Sequence, residues 1–169
     1  FAYRELRDLA DATGAAFLFE GAVLDGLPVF SLVREALPGV GIRAFRGIVN
    51  TTTNFLLSAM EDGRALEDAL TEMQAAGVAE ADPANDVDGW DAAAKTAVLA
   101  NVLMDADITP HDVDRRTLRS LTAQGLREAR RRGRRVKLVA AATRQDDRVV
   151  ATARPEELPA DDPLAALGG

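Results

Sequence analysis

Between residues 80 and 95 the chain reads EADPANDVDGWDAAAK, with five carboxylates (Glu80, Asp82, Asp86, Asp88 and Asp91) ahead of a single lysine, Lys95. Pro83 and Gly89 bend the segment before a helix that the pattern starts near Gly89. That start puts Asp91 and Lys95 four residues apart on one helical face. Acids can pair with a cationic group, and an ammonium can neutralise negative charge that develops on a reacting oxygen. A loop of acids opening onto a helical lysine therefore suits a substrate site. A solvated charged surface is the competing reading. Calcium fits poorly: with Gly89 at the invariant glycine of an EF-hand, Ala84 falls at the first ligand position and Lys95 where the bidentate glutamate belongs.

The run Asn50-Thr51-Thr52-Thr53-Asn54 lies between an expected strand and an expected helix. Its backbone amides and hydroxyls suit a carboxylate, an amide or a phosphate, and equally suit ordinary helix capping. Gly39-x-Gly41-x-x-Ala44 has the loose spacing of a dinucleotide fingerprint. That motif needs a strand before it and a helix after it, and here the order is reversed, so it reads as a turn. The arginines from Arg127 to Arg135 fit the end of a helix, where cations complement the dipole. His111, the only histidine, reads as a surface residue, and no metal site or catalytic triad can be built on it.

The elements that must carry these groups follow from periodicity. Helices are expected over 2–12, 28–37, 52–61, 65–76, 91–104 and 121–132, with a short helical turn at Thr109-Pro110. In the 91–104 helix the apolar stripe reads as Ala94, Val98 and Val102 with Leu99 and Leu103. Strands are expected over 15–23 and 41–50, and 134–143 with 148–154 form a hairpin about Gln145-Asp146-Asp147. Glu20 interrupts the first of these strands with a charge that a buried strand should not carry unaided. The stretch after Arg154, with Pro155, Pro159 and Pro163, reads as irregular. The order of elements predicts an α+β domain, a mixed β-sheet with helices packed on one face.

The 169 residues, 47% hydrophobic, suit one domain with a sheet-and-helix core. A net charge of -7 argues against nucleic acid as a partner. The absence of cysteine removes disulfides, thiolate ligands and thiol nucleophiles. No apolar run reaches the length of a membrane span, and a cytoplasmic setting is expected. Both ends read as cut, so the chain is expected to be an excised part of a longer one. Lysine occurs only at 95 and 137 among many arginines. Arginine does not release its proton at working pH, so a lysine kept within an acidic motif points to titration or tight geometry.

Three stretches together resemble one family. They are Phe19-Glu20 through Gly26-Leu27-Pro28, Gly47 through Asn54 (GIVNTTTN), and Ala79-Glu80-Ala81-Asp82-Pro83 with Asp86-Val87-x-Gly89-x-Asp91-x-x-x-Lys95. The chain resembles the catalytic, substrate-binding domain of homoserine dehydrogenase over nearly its whole length. The resemblance implies NAD- or NADP-dependent interconversion of L-homoserine and L-aspartate 4-semialdehyde, in threonine and methionine biosynthesis. It implies that Lys95 stands beside the reacting oxygen and that Asp91 orients it and the substrate. Glu80, with Asp86 and Thr52, would bind substrate, and Asn50, Thr51 and Thr53 would lie where substrate meets nicotinamide. Glu20, Val23, Asp25 and Leu27 match the family's loop for a monovalent cation such as Na+, held mostly by backbone oxygens. The resemblance further implies a homodimer through the open sheet face, a second lysine just upstream of Phe1, and a separate Rossmann domain that this chain lacks. Thr51 stands where the family usually has glycine, and Val78 where it usually has an aromatic residue. The alternatives are a related oxidoreductase with another substrate, and a non-catalytic dimerisation or small-molecule-sensing module of the same fold.

Overall fold

The computed structural model of the chain describes residues 2–24, 26–77, 79 and 82–168. Seven α-helices are described: α1 (Tyr3–Thr13), α2 (Val29–Ala36), α3 (Thr51–Glu61), α4 (Leu66–Ala75), α5 (Ala84–Val87), α6 (Trp90–Met104) and α7 (Ala123–Arg131). Four strands join them: β1 (Ala44–Gly47), β2 (Asp114–Arg115), β3 (Arg134–Gln145) and β4 (Arg148–Pro159). The strands form one sheet in the order β1-β3-β4-β2. β1 and β4 run antiparallel to β3, whereas β2 runs parallel to β4, so the sheet is mixed, as expected. The β3–β4 hairpin turns tightly, with Gln145 paired to Arg148 and Asp146 in the left-handed region at φ 52.

The alternation of side chains along β3 and β4 sends Val136, Leu138, Ala140, Ala142, Ala151 and Ala153 into the core beneath the helices. α3 contributes Leu56, Leu57 and Met60 to that core, and α6 contributes Ala92, Ala93, Ala97 and Ala100. Small side chains let α6 lie close to the sheet. This buried face differs from the expected stripe: Val98 is exposed, and alanines rather than valines carry the contact. On the opposite sheet face Val139 and Leu158 are covered by Ala165 alone among buried residues.

Residues 15–23 form no strand. Phe17 and Phe19 instead pack at 5.1 Å against each other, and Phe19 stacks edge-on against Phe30 of α2 at 5.1 Å. The apolar run is explained by ring packing, which needs no ladder of backbone hydrogen bonds. Glu20 is explained as well. Its carboxylate accepts the amide protons of Phe30 and Ser31, both at 2.9 Å, together with the Ser31 hydroxyl, and so caps the first turn of α2. β4 also runs on to Pro159 where irregular chain was expected. β2 covers β4 only at Thr152 and Ala153, so Pro155 and Pro159 lie where β4 has a free edge.

β1 pairs only with residues 140–143 of β3, which leaves the first half of that edge of β3 without a strand partner. α3 covers it. Glu61 accepts the Val136 amide at 3.4 Å and pairs with Arg135 at 2.6 Å, and Lys137 Nζ donates to Asn54 Oδ1 at 2.7 Å. Lys137 also donates to the Leu167 carbonyl at 2.6 Å, and Asn54 Nδ2 donates to that of Gly168 at 2.6 Å. Burial, with Arg135 nearby, pushes the Lys137 ammonium below its ordinary pKa. Three other arginines of the 127–135 cluster find acids at the surface, Arg130 with Asp62, and Arg132 and Arg134 with Glu157. No described helix is long and apolar enough to cross a membrane.

Lys137 is 1% exposed, so Lys137→Ala should strand Asn54 Oδ1 without a donor and leave the Leu167 carbonyl only the 3.4 Å contact from Asn54 Nδ2. Urea unfolding should register a loss of about 1–3 kcal/mol, the usual cost of orphaning buried polar groups. A loss below a few tenths would show that the network contributes nothing.

Candidate active site

The acidic stretch and the threonine run meet at the start of α3. Asn50 is the N-cap: its Oδ1 accepts the Thr53 amide at 2.8 Å, satisfying one of the four free N–H groups of the first turn. The same side chain uses its other end for the site. Asn50 Nδ2 donates to Asp86 Oδ1 and to Asp91 Oδ2, both at 2.7 Å. Both N–H groups of one buried amide, and one of the two lone pairs on its oxygen, are thus spent on holding two carboxylates and a helix end.

Lys95 completes the constellation. Its Nζ lies 3.0 Å from Asp91 Oδ2 and donates to the Val49 carbonyl at 3.2 Å, which confirms the expected four-residue spacing on α6. Two of its three N–H groups are directed at these oxygens, and the third has no acceptor among the described residues. Asp91 and Lys95 are each about one-third exposed at the side chain. A cleft of about 370 Å³ opens over them, lined by Asn50, Thr51, Thr52, Asp82, Asn85, Asp86, Asp91 and Lys95. One wall is therefore acidic, and the other is the N-terminus of an 11-residue helix, which favours negative charge.

Of the residues read from sequence as a site, Asn50, Thr51, Thr52, Asp86, Asp91 and Lys95 come together in this cleft. Thr53 is buried, and it spends its amide and hydroxyl on the Asn50 cap. Glu80 and Asp25, along with Val78, fall outside the described residues. Val23 is buried, and the turn at Leu27 is closed by Leu27 N–H to the Leu24 carbonyl at 3.2 Å. The Glu20 carboxylate is occupied by α2, chiefly by Ser31, and these bonds hold its pKa below the usual carboxylate value. No cluster of three or more acid, histidine or cysteine side chains able to hold a metal occurs among the described residues.

Sequence reasoning counted Asp82 among the acids of the loop without giving it a role of its own, and it missed Asn85 as a lining residue and the short helix α5 that presents Asn85 and Asp86. The signal was available: Asp82 accepts the Ala84 amide at 3.0 Å, and Asp-Pro just ahead of a short polar turn is a helix-starting pattern. A second cleft of about 500 Å³ adjoins the first, sharing Asn85 and Asp91 and adding Trp90, Ala94, Pro110 and His111. His111 packs edge-on against Trp90 at 5.1 Å, which accounts for it without a ligand.

Comparison with known proteins supplies a family. Residues 28–169 match the family model described as homoserine dehydrogenase. The NAD(+)-dependent homoserine dehydrogenase of Pseudomonas canavaninivorans is 43% identical over 164 residues, which cover 96% of this chain and 47% of that protein. The homoserine dehydrogenase of Corynebacterium glutamicum is 38% identical over 169 residues, covering 96% of this chain and 38% of that protein. Among solved structures, a homoserine dehydrogenase from Thiobacillus denitrificans superposes with a TM-score of 0.91 at 33% identity, covering 99% of this chain and 39% of that one. The chain therefore spans about half the length, or less, of the relatives it matches.

Two substitutions test the geometry of the cleft. Asn50→Ala removes the cap and both carboxylate contacts, and a capping loss alone costs about 0.5–2 kcal/mol. Its thermal midpoint should fall accordingly. Asp88, beside the cleft, is held below its ordinary pKa, first by the Arg119 guanidinium and then by the Thr117 hydroxyl. Because the folded value lies below the unfolded one (about 3.9), this stabilisation is present above that pH and lost as pH falls through the folded value. Asp88→Asn should therefore be less stable than the parent at pH 7 and approach it in acid unfolding curves as pH falls below the ordinary aspartate value of about 3.9. A deficit independent of pH would contradict the assignment.

Proposed function

The chain belongs to the homoserine dehydrogenase family, and from that premise we propose that it is the substrate-binding and catalytic domain of an NAD(P)-dependent homoserine dehydrogenase. The observation that carries the reading is the triad of Asn50, Asp91 and Lys95 in a cleft with one acidic wall and one helix N-terminus. A zwitterionic amino acid needs both. Asp86, with Asp82 and Glu80, supplies negative charge for the substrate ammonium, and the first turn of α3 at Thr51 and Thr52 suits its carboxylate.

Hydride exchange at the terminal carbon of the substrate is the chemistry that nicotinamide would supply when bound. Thr51, exposed at the mouth of the cleft, and the neighbouring Asn50 backbone are the residues of this chain that would face it. In the reducing direction negative charge develops on the aldehyde oxygen. The free N–H of Lys95 donates to that oxygen and passes it a proton as the alcohol forms. In the oxidising direction the proton returns along the same path. Asp91 holds the ammonium in place through the 3.0 Å contact, and the Val49 carbonyl fixes its second direction.

The same reading extends to assembly and setting. Residues 1–169 act as one unit in a longer, cytoplasmic enzyme that pairs through the sheet face carrying Ala141, Thr143, Val150 and Thr152. Val150 is 45% exposed there, and the small neighbours would allow close sheet-to-sheet approach. A monovalent cation such as Na+ would sit at the Glu20–Leu27 turn.

The complete protein should reduce NAD or NADP with L-homoserine. Lys95→Ala should lower kcat by at least about 100-fold, the lower range for loss of a positioned proton donor, with an unchanged circular dichroism spectrum. Undiminished turnover in that variant would remove Lys95 from the chemistry.

A further inference from the structure

Residues Arg115 to Arg119, running on from β2, line no part of the cleft, yet each of them touches the turn that carries its acids. Arg115 donates to the Asp88 carbonyl at 2.6 Å and lies 3.6 Å over the Trp90 ring. The Arg116 carbonyl stands 3.0 Å from where a side chain on Gly89 would begin. Thr117 Oγ1 has one proton to give and lies within reach of two acceptors, the Asp88 carboxylate at 3.0 Å and the Val87 carbonyl at 3.2 Å, and the Leu118 amide donates to that carbonyl at 2.8 Å. Arg119 Nε reaches Asp88 Oδ1 at 2.7 Å, with Nη2 at 3.4 Å from Oδ2.

The gripped turn, residues 87–90, is the only covalent link between Asp86 and Asp91, the two carboxylates that share the Asn50 amide. Its geometry is narrow. Gly89 sits at φ +78, and the close Arg116 carbonyl leaves no room for a side chain. A single exposed ion pair holds little, but here the Arg119 contacts are joined by a hydroxyl, a backbone amide and a stacked guanidinium on adjacent residues.

We propose that residues 115–119 form a clasp in which Thr117 and Arg119, acting through Asp88, are positioning residues that hold Asp86 and Asp91 at Asn50 and thereby set affinity for the amino-acid substrate. The proposal rests on the reading of the cleft as an amino-acid site. A shift of about 1 Å in such groups is enough to cost up to 100-fold in rate.

The test uses Arg119→Ala, Arg119→Lys and Thr117→Val in the complete protein, well below its thermal midpoint. KM for L-homoserine should rise about five- to tenfold in Arg119→Ala, while KM for the nicotinamide nucleotide stays unchanged. Arg119→Lys keeps one donor and should recover part of that loss. Hydrogen exchange of the amides of residues 84–91 should quicken about tenfold in Arg119→Ala and less in Thr117→Val. A fall in thermal midpoint with both KM values and exchange unchanged would reduce the segment to a structural brace and overturn the proposal. If the parent protein shows no turnover of L-homoserine, the functional reading fails by itself. Exchange then decides the clasp, and equal protection in parent and variants overturns it.

Discussion

The structure depends on one primary amide. Asn50 ends the approach from β1, starts α3, and ties both to a turn some 40 residues further on. Its two N–H groups face two carboxylates and its oxygen faces a backbone N–H, so a flipped amide would set oxygen against oxygen twice and orphan the helix end. Aspartate in the same place would bring a third negative charge within 2.7 Å of the other two. Glutamine would carry the amide one methylene too far to cap. Identity at this position is therefore dictated by local chemistry on three sides, before any substrate is considered.

Gathering Asp82, Asp86 and Asp91 about a single lysine is unfavourable unless their charge is met elsewhere. Part of the compensation comes from the positive end of α3, aimed across the cleft. Rigidity comes from both ends of that helix. Glu61 and Asn54 anchor it along the bare edge of β3 through Arg135, Val136 and Lys137, so its first turn moves only with the sheet. The alanine face of α6 does the same for Asp91 and Lys95, seating their helix against β3 and β4 with no long side chains between. Each half of the cleft is thus fixed to the same four strands.

The parts of this arrangement that the sequence announced were those with local causes. The Asp91–Lys95 spacing is set by one turn of helix, and the hairpin by two residues between alternating runs. Asn50 could be read as a cap, but not as the partner of two acids, because nothing local ties residue 50 to residue 86. Residues 15–23 misled because ring packing and a buried strand ask for the same residue types. The stripe on α6 misled because alanine carries a weak hydrophobic signal, although it is the residue that close helix-to-sheet packing needs. Pro155 belied β4 because the edge that tolerates a proline is created only by the shortness of β2. Lys137, one of two lysines, was noticed without a role, since its partners lie 30 and 83 residues away.

That last separation bears on the order in which the domain can come together. The β3–β4 hairpin closes across two residues and can form early, whereas the Asn54 contact with Gly168 spans 114 residues and the β1–β3 pairing about a hundred. Long closures are entropically costly and slow relative to local ones. The ties that build the cleft, Asn50 to Asp86 and to Asp91, span 36 and 41 residues and fall between these extremes, so loop closure alone costs the acidic turn less in meeting its cap than it costs the outer strand in joining the sheet.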